Sequence, residues 1–263
     1  MIYVGIDDTD ILGSRGTNQL ARAIVQAARA DWRCHGIVRH QLLFDQRIPY
    51  TSKNGSASIR LERRSNAENP RDATDCNMTE LDPDLLQEPA MPCSADIAAI
   101  IEICRRVMRE WFIVGSDPGL CVTDHVPESI TQFGWRCKQQ IVTQEEAHQL
   151  ATQQGLHLEG LGGTEGGVIG ALAAVGLIVT GDDGRVVQHG EWPDDLSGPQ
   201  PISELHSRDI TVEEVDNSII VETGTVDVGK HLRPNLRAGR TKLFVQRLPD
   251  TERGEIYQAV KLT

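Results

Sequence analysis

Residues 2–17 read IYVGIDDTDILGSRGT, and the organisation of the chain follows from them. The apolar run from Ile2 to Ile6 has strand character and carries Asp7, Asp8 and Asp10 into a loop. That loop holds Gly13, Arg15, Gly16 and Thr17, and Leu20, Ile24, Ala27 and Ala28 then recur at helical spacing up to Ala30. Carboxylates at a strand end, beside a glycine turn and a helix start, suit Mg²⁺ held on a polyphosphate. The metal takes hard oxygen ligands, and the phosphates take backbone N–H groups. Neighbours on an extended strand alternate in direction, so Asp7 and Asp10 are the expected metal ligands. Asp8 joins them only if the strand has already ended. Thr17 is either a helix cap or a hydroxyl beside the phosphate chain.

Composition sets outer bounds. With 263 residues, 39 % apolar and 24 % charged, the chain fits one large domain or two joined ones. We expect one catalytic unit, 1–263, of two intimately joined subdomains, with a flexible excursion over 63–92, which is rich in Asn, Asp, Glu and Pro. The longest apolar stretch, Val168 to Thr180, is broken by Gly170 and Gly176, so no membrane span is expected. No signal peptide is expected either, and the six cysteines form no CxxC pair, so a cytoplasmic location is expected.

The net charge of −12 disfavours nucleic acid unless basic residues concentrate locally. They do so between Gly229 and Pro249, where Lys230, Arg233, Arg237, Arg240, Lys242 and Arg247 occur without an acidic residue. This is either a solvated face or a phosphate pocket to which Arg233, Arg237 and Arg240 contribute.

Other segments read as follows. Strands are expected at His35 to Phe44 and Ser56 to Glu62, paired antiparallel through the polar turn from Ile48 to Gly55, where Lys53 could reach a phosphate. A helix opens at Ser94 and runs to Trp111, a strand covers Leu120 to Thr123, and Thr143 with Glu146 forms a capping box for a helix ending near Gln154. The stretch Gly160 to Gly170 is dense in glycine, and Gly162, Gly163, Gly166 and Gly167 are candidate phosphate-cradling positions. It feeds a helix expected over Val168 to Val175 and stopped by Gly176. Strands are expected at Leu177 to Thr180 and Arg185 to His189 about an Asp182–Gly184 turn, then at Ser218 to Glu222, Thr241 to Gln246 and Ile256 to Leu262. The class is α/β or α+β, mixed sheets with packed helices. A Walker lysine and a dinucleotide GxGxxG are both absent. His40 reads as a half-buried packing residue, and cysteine chemistry has no support beyond the cysteines themselves.

Three segments together resemble one family. IDDTD followed by RGT-x-x-LA (Asp7 to Ala21), IPY leading into a polar glycine turn (Ile48 to Ala57), and GGVIGALAAVG (Gly166 to Gly176) occur in this order in archaeal tRNA-isoleucine agmatidine synthetases. The resemblance implies a kinase-like ATP domain joined to a ferredoxin-like domain, with ATP and Mg²⁺ as cofactors held at Asp7, Asp8 and Asp10. It implies that ATP activates the C2 carbonyl of a tRNA cytidine and agmatine displaces the oxygen, and it places the family's phosphorylatable threonine on Thr17. Thr51, Thr164-Glu165-Gly166, His40 and Leu43 stand where the family carries basic residues, and the chain is expected to be a stand-alone relative lacking the family's oligonucleotide-binding fold and zinc ribbon.

From these departures the leading expectation is an ATP/Mg²⁺-dependent transferase or ligase acting on a small-molecule acceptor, with nucleic acid bound only through a partner protein. A homodimer stays open. The alternatives are agmatidine-synthetase-like tRNA cytidine modification and a non-catalytic nucleotide-binding regulator, which Glu165 in the glycine loop keeps open.

Overall fold

The computed structural model describes residues 1–11, 13–48, 54–64, 94–249 and 256–261. The opening stretch becomes β1 (Ile2–Asp7), which lies between two antiparallel neighbours, β3 (Gly55–Arg63) and β4 (Gly119–Thr123). Strand alternation divides its side chains. Ile2, Val4 and Ile6 enter one core with α1 (Thr17–Ala28) and α2 (Ser94–Trp111), whose buried residues include Leu20, Ile24, Ile100 and Cys104. Tyr3, Gly5 and Asp7 face the other side, where α5 (Gly167–Ile178) crosses them.

Helix α5 is apolar around its whole circumference, as a helix enclosed by other elements must be. The sheet lies beneath it, and α3 (Glu128–Cys137) and α4 (Gln144–Gln154) pack alongside in a core that includes Phe133, Ile130, Ala147, Leu172 and Leu177. A Cβ on Gly5 would overlap the Ala171 carbonyl, and one on Gly176 would overlap that of Ile130, so both glycines allow backbone to approach backbone.

The sheet continues through β2 (Trp32–Gln41) to β6 (Arg185–His189), β10 (Asn235–Arg237), β11 (Arg240–Arg247), β12 (Ile256–Ala259), β9 (Thr225–Asp227) and β7 (Pro199–Pro201). At its other end β5 (His157–Gly160) pairs with β4, and β8 (Ile210–Glu214) runs parallel to β11. The later strands and α6 (Ile202–Ser207) enclose a separate core that includes Ile202, Leu205, Val212, Val226 and Val245. The class is therefore mixed α/β with helices packed on mixed sheets, as expected. No helix among the described residues is long and apolar enough to cross a membrane.

Several expected elements differ. The helix expected to stop at Gly176 runs to Ile178, because Gly176 serves close packing against α3 rather than termination. The strand expected at Leu177 to Thr180 is thus helix end and turn, and β6 pairs with β2 and β10 instead of closing a hairpin. Ser218 to Glu222 contributes only a bridge between Ile220 and Glu213. The β2–β3 pairing and the Thr143–Glu146 capping box form as expected. The 63–92 excursion falls outside the described residues except for Arg63 and Arg64.

His40 is fully buried rather than half-buried. Its Nδ1 lies 2.7 Å from Asp183 Oδ2 and its Nε2 2.8 Å from Ser58 Oγ, while Lys138 Nζ donates to Asp183 Oδ1 at 2.7 Å. Burial holds the His40 imidazole below its usual pKa, against the pull of Asp183. This buried polar node locks β2, β3 and the end of α3 together.

Candidate functional site

Strand β1 ends at Asp7, and Asp8 turns the chain with a φ of 50° in the left-handed region. Asp8 therefore escapes the alternation that would have sent it to the opposite face. Asp7, Asp8 and Asp10 all line one cavity of about 270 Å³, with Asp117 beside them. The opposite wall is largely apolar, formed by Leu42, Ile141, Val142 and Ile169.

Two contacts fix the geometry. A Cβ on Gly170 would stand inside the Asp7 carboxyl group, so the absence of a side chain there lets α5 begin directly against that carboxylate. Asp117 joins the remaining segments. Its N–H donates to the Asp8 carbonyl (3.1 Å), and its carbonyl accepts from Gly167 N–H (2.9 Å). Its side chain takes the Thr164 N–H on Oδ1 and the Thr164 hydroxyl on Oδ2, both at 2.7 Å. One aspartate thus ties the acidic loop, the glycine loop and the start of α5 into a single frame.

Electrostatics follow from this crowding. Burial pushes the Asp7 carboxyl up to about 7; the Asp8 N–H opposes the rise and the charges of Asp8 and Asp10 add to it. Asp8 rises to about 6, first through burial and then through Asp117 and Asp10. Asp10 is raised by burial, with Arg39 opposing. A bound cation would relieve this repulsion. Arg39 on β2 is itself lowered by burial and by Arg185, and is held charged by Asp7 and Asp10. Its guanidinium lies against Gly55, which lines the cavity.

The structure gathers only part of the expected site. Asp7, Asp8 and Asp10 share the cavity, yet no three His, Cys, Asp or Glu side chains among the described residues converge as a preformed metal centre. Mg²⁺ carried on phosphates needs only one or two carboxylates, and this donor set fits that mode. Of the four glycines, Gly166 lines the cavity. Gly162 makes room for the Phe112 ring and Gly163 for Asp117, while the Gly167 N–H is used by Asp117, so these three shape the loop instead of facing a ligand. Arg15 stacks over Trp111 at 3.8 Å, and Gly16 caps α1 behind Asp10. Thr17 Oγ1 accepts from Thr9 Oγ1 at 3.1 Å, and neither Thr17 nor Arg15 lines the cavity. Lys53 lies outside the described residues, although Ile48, Asn54 and Gly55 on either side of its loop line the cavity.

The basic cluster is not brought to this cavity. Arg233 pairs with Asp194, Arg237 donates to the carbonyls of Asp182 and Leu236, and Arg240 lines a different cleft. Local self-pairing and the extension of the sheet through β10 and β11 carry these residues away. Conversely, Arg39 and Asp117 were missed, since each stands alone in sequence with no spacing that marks it. Glu165 turns outward, its side chain over Gly160 and 4.0 Å from His148, and does not line the cavity.

The fold and the cavity define a mixed α/β protein with an acidic pocket at the end of β1. Residues 3–163 match the model of the TiaS TCKD domain, and the chain belongs to that family. Similar solved structures include a tRNA fluorescent labeling enzyme (20 % identity, TM-score 0.49, 66 % of this chain and 35 % of that one). A TiaS–tRNA(Ile2)–ATP complex matches at 21 % identity and TM-score 0.48, over 66 % of this chain and 36 % of that one. A TiaS–tRNA(Ile2)–AMPCPP–agmatine complex matches at 14 % identity and TM-score 0.49, over 98 % and 59 %. The chain therefore spans between about a third and three-fifths of the length of these structures. No curated protein matches it.

These findings correct the expected partners. The expectation of a small-molecule acceptor with nucleic acid disfavoured is overturned by kinship to TiaS, whose solved complexes hold tRNA(Ile2). The error lay in weighing a net charge of −12 as though it described the site, when a global sum says nothing of local surface.

Proposed function

We propose that this chain is an ATP-dependent tRNA-modifying catalytic unit of the agmatidine-synthetase type, and that the acidic cavity is its nucleotide site. The observation that carries the reading is the cavity itself. Asp7, Asp8 and Asp10 face the start of α5 inside the segment matched to the TiaS TCKD domain and its continuation. The TiaS complexes with ATP, or with AMPCPP and agmatine, support the same substrates. The sheet running unbroken from β1 into β11 supports treating the chain as one catalytic unit of two joined subdomains.

Asp7 and Asp10, with Asp8 beside them, would hold Mg²⁺ on the phosphates. When bound, the ion draws charge from the phosphate oxygens and makes the phosphorus more electrophilic. Gly166 lines the cavity where α5 begins, and the positive end of that helix's dipole favours an anion there. The apolar wall of Leu42, Ile141 and Val142 suits a nucleobase and keeps water from the reacting atoms. Arg39, electrostatically coupled to Asp7 and Asp10, would help neutralise charge that develops on a leaving oxygen. An activated cytidine C2 oxygen would then be displaced by the agmatine amine.

The test is nucleoside mass analysis of a tRNA(Ile2) transcript incubated with the protein, ATP, Mg²⁺ and agmatine. A cytidine–agmatine adduct that requires all four additions supports the reading. An unmodified transcript, with the protein folded and ATP bound, contradicts it.

A further inference from the structure

At a second place, the strands after β6 meet the first half of the sheet in an open cleft of about 520 Å³. Arg60 of β3 and Arg240 at the start of β11 both line it, with His189 and His206 nearby. None of the acidic-cavity residues contributes to this cleft. Arg60 is the unusual member. It sits opposite Tyr3 in β1 and Gly36 in β2, where β2 carries a bulge between Cys34 and Gly36. Among the described residues its buried Nε has no hydrogen-bond partner and its guanidinium forms no ion pair.

A buried guanidinium nitrogen without a protein partner is costly, and a water or an anion would satisfy it. Arg240 is exposed and likewise unpaired among the described residues. Carboxylates line the cleft as well: Asp209, and Glu222 at 3.7 Å from His206 Nδ1. Guanidiniums match phosphate oxygens, and carboxylates accept hydrogen bonds from hydroxyls. The Thr241 hydroxyl, 3.0 Å from His189 Nδ1, adds a polar group between them. We propose that this cleft binds a sugar phosphate, its phosphate on Arg60 and Arg240 and its hydroxyls toward Asp209 and Glu222. The cleft's volume fits such a ligand. The same chemistry is offered by a free sugar phosphate and by one nucleotide unit of an RNA backbone.

The experiment separates these sources with the full chain and the variants Arg60→Gln and Arg240→Gln. Calorimetric titration uses ribose 5-phosphate as the small probe. A tRNA(Ile2) transcript is titrated at several salt concentrations as the polymer probe. For a free sugar phosphate, each substitution raises the ribose 5-phosphate Kd about tenfold, and the salt dependence for RNA is unchanged. For RNA, each substitution lowers the slope of log K against log salt by about 0.7–0.9. If Arg60→Gln fails to fold, the exposed Arg240→Gln carries the same readings. Neither affinity nor slope changing in a folded variant overturns the proposal. ATP affinity is measured alongside, so that failure here stays distinct from failure of the nucleotide site.

Discussion

The carboxylate of Asp7 fills the space in which a side chain on Gly170 would stand. The end of β1 and the first turn of α5 are thereby in direct contact, and the acidic cavity exists because that contact is possible. Gly170→Ala forces the two apart. Overpacking of this kind costs about 1–3 kcal/mol. Thermal denaturation is expected to show a drop of several degrees, with ATP affinity falling at least tenfold; an unchanged affinity would mean that the contact does not shape the site.

Asp117 orients the glycine loop through both side-chain oxygens. Asp117→Ala should raise the Kd for ATP about tenfold and speed amide exchange in residues 162–166. Thr164→Ala should do less, because the backbone N–H of residue 164 still donates to Asp117 Oδ1. The double variant should fall well short of the sum of the two effects, since they remove the same interaction. Full additivity would refute the clamp.

The His40–Asp183–Lys138 node is structural. Asp183→Ala leaves the buried imidazole without its carboxylate partner and the Lys138 ammonium with only the Gln41 carbonyl, and should cost about 3 kcal/mol in urea denaturation. Asp183→Asn, which keeps hydrogen-bonding capacity, should cost less. Equal losses would show that packing volume rather than the polar network matters here.

Asp194 gives a pH signature. Burial alone would raise its carboxyl, and the hydrogen bonds from Arg233 and Arg22 outweigh that and hold it at about 2. A carboxylate depressed below its unfolded value stabilises the fold above about pH 4, and the benefit is lost as pH falls towards 2. Asp194→Asn is therefore expected to lower stability by about 1 kcal/mol at neutral pH. The gap to the unmodified protein should close on acidification. A gap constant from pH 7 to pH 2 would contradict this.

Much of the first half was legible in sequence because its signals are local. The β1 run, the amphipathic α1 and α2, the Thr143 capping box and the β2–β3 pairing each depend on periodicity or on residues three positions apart. What was not legible depends on distant contacts. Gly176 reads as a helix stop until α3 is seen packing on it, and α3 carries Gly134 against the Ala173 carbonyl, which weakens its own helical signal. In the site, the Asp7–Asp10 run announces itself, whereas Asp117 and Arg39 join it only through the sheet. The glycine stretch leads into α5, and within it Gly162, Gly163 and Gly167 answer to Phe112 and Asp117, which no spacing rule connects to them.

ATP consumption in the presence of tRNA(Ile2) and agmatine measures the role of Asp7 most directly. If Asp7 holds the metal as proposed, removing its charge should cost at least about a hundredfold in turnover. Asp7→Asn also relieves a buried carboxylate, so its melting temperature should not fall. A folded Asp7→Asn protein with turnover lost is the predicted result; a folded variant that turns over ATP at the unmodified rate would contradict the account.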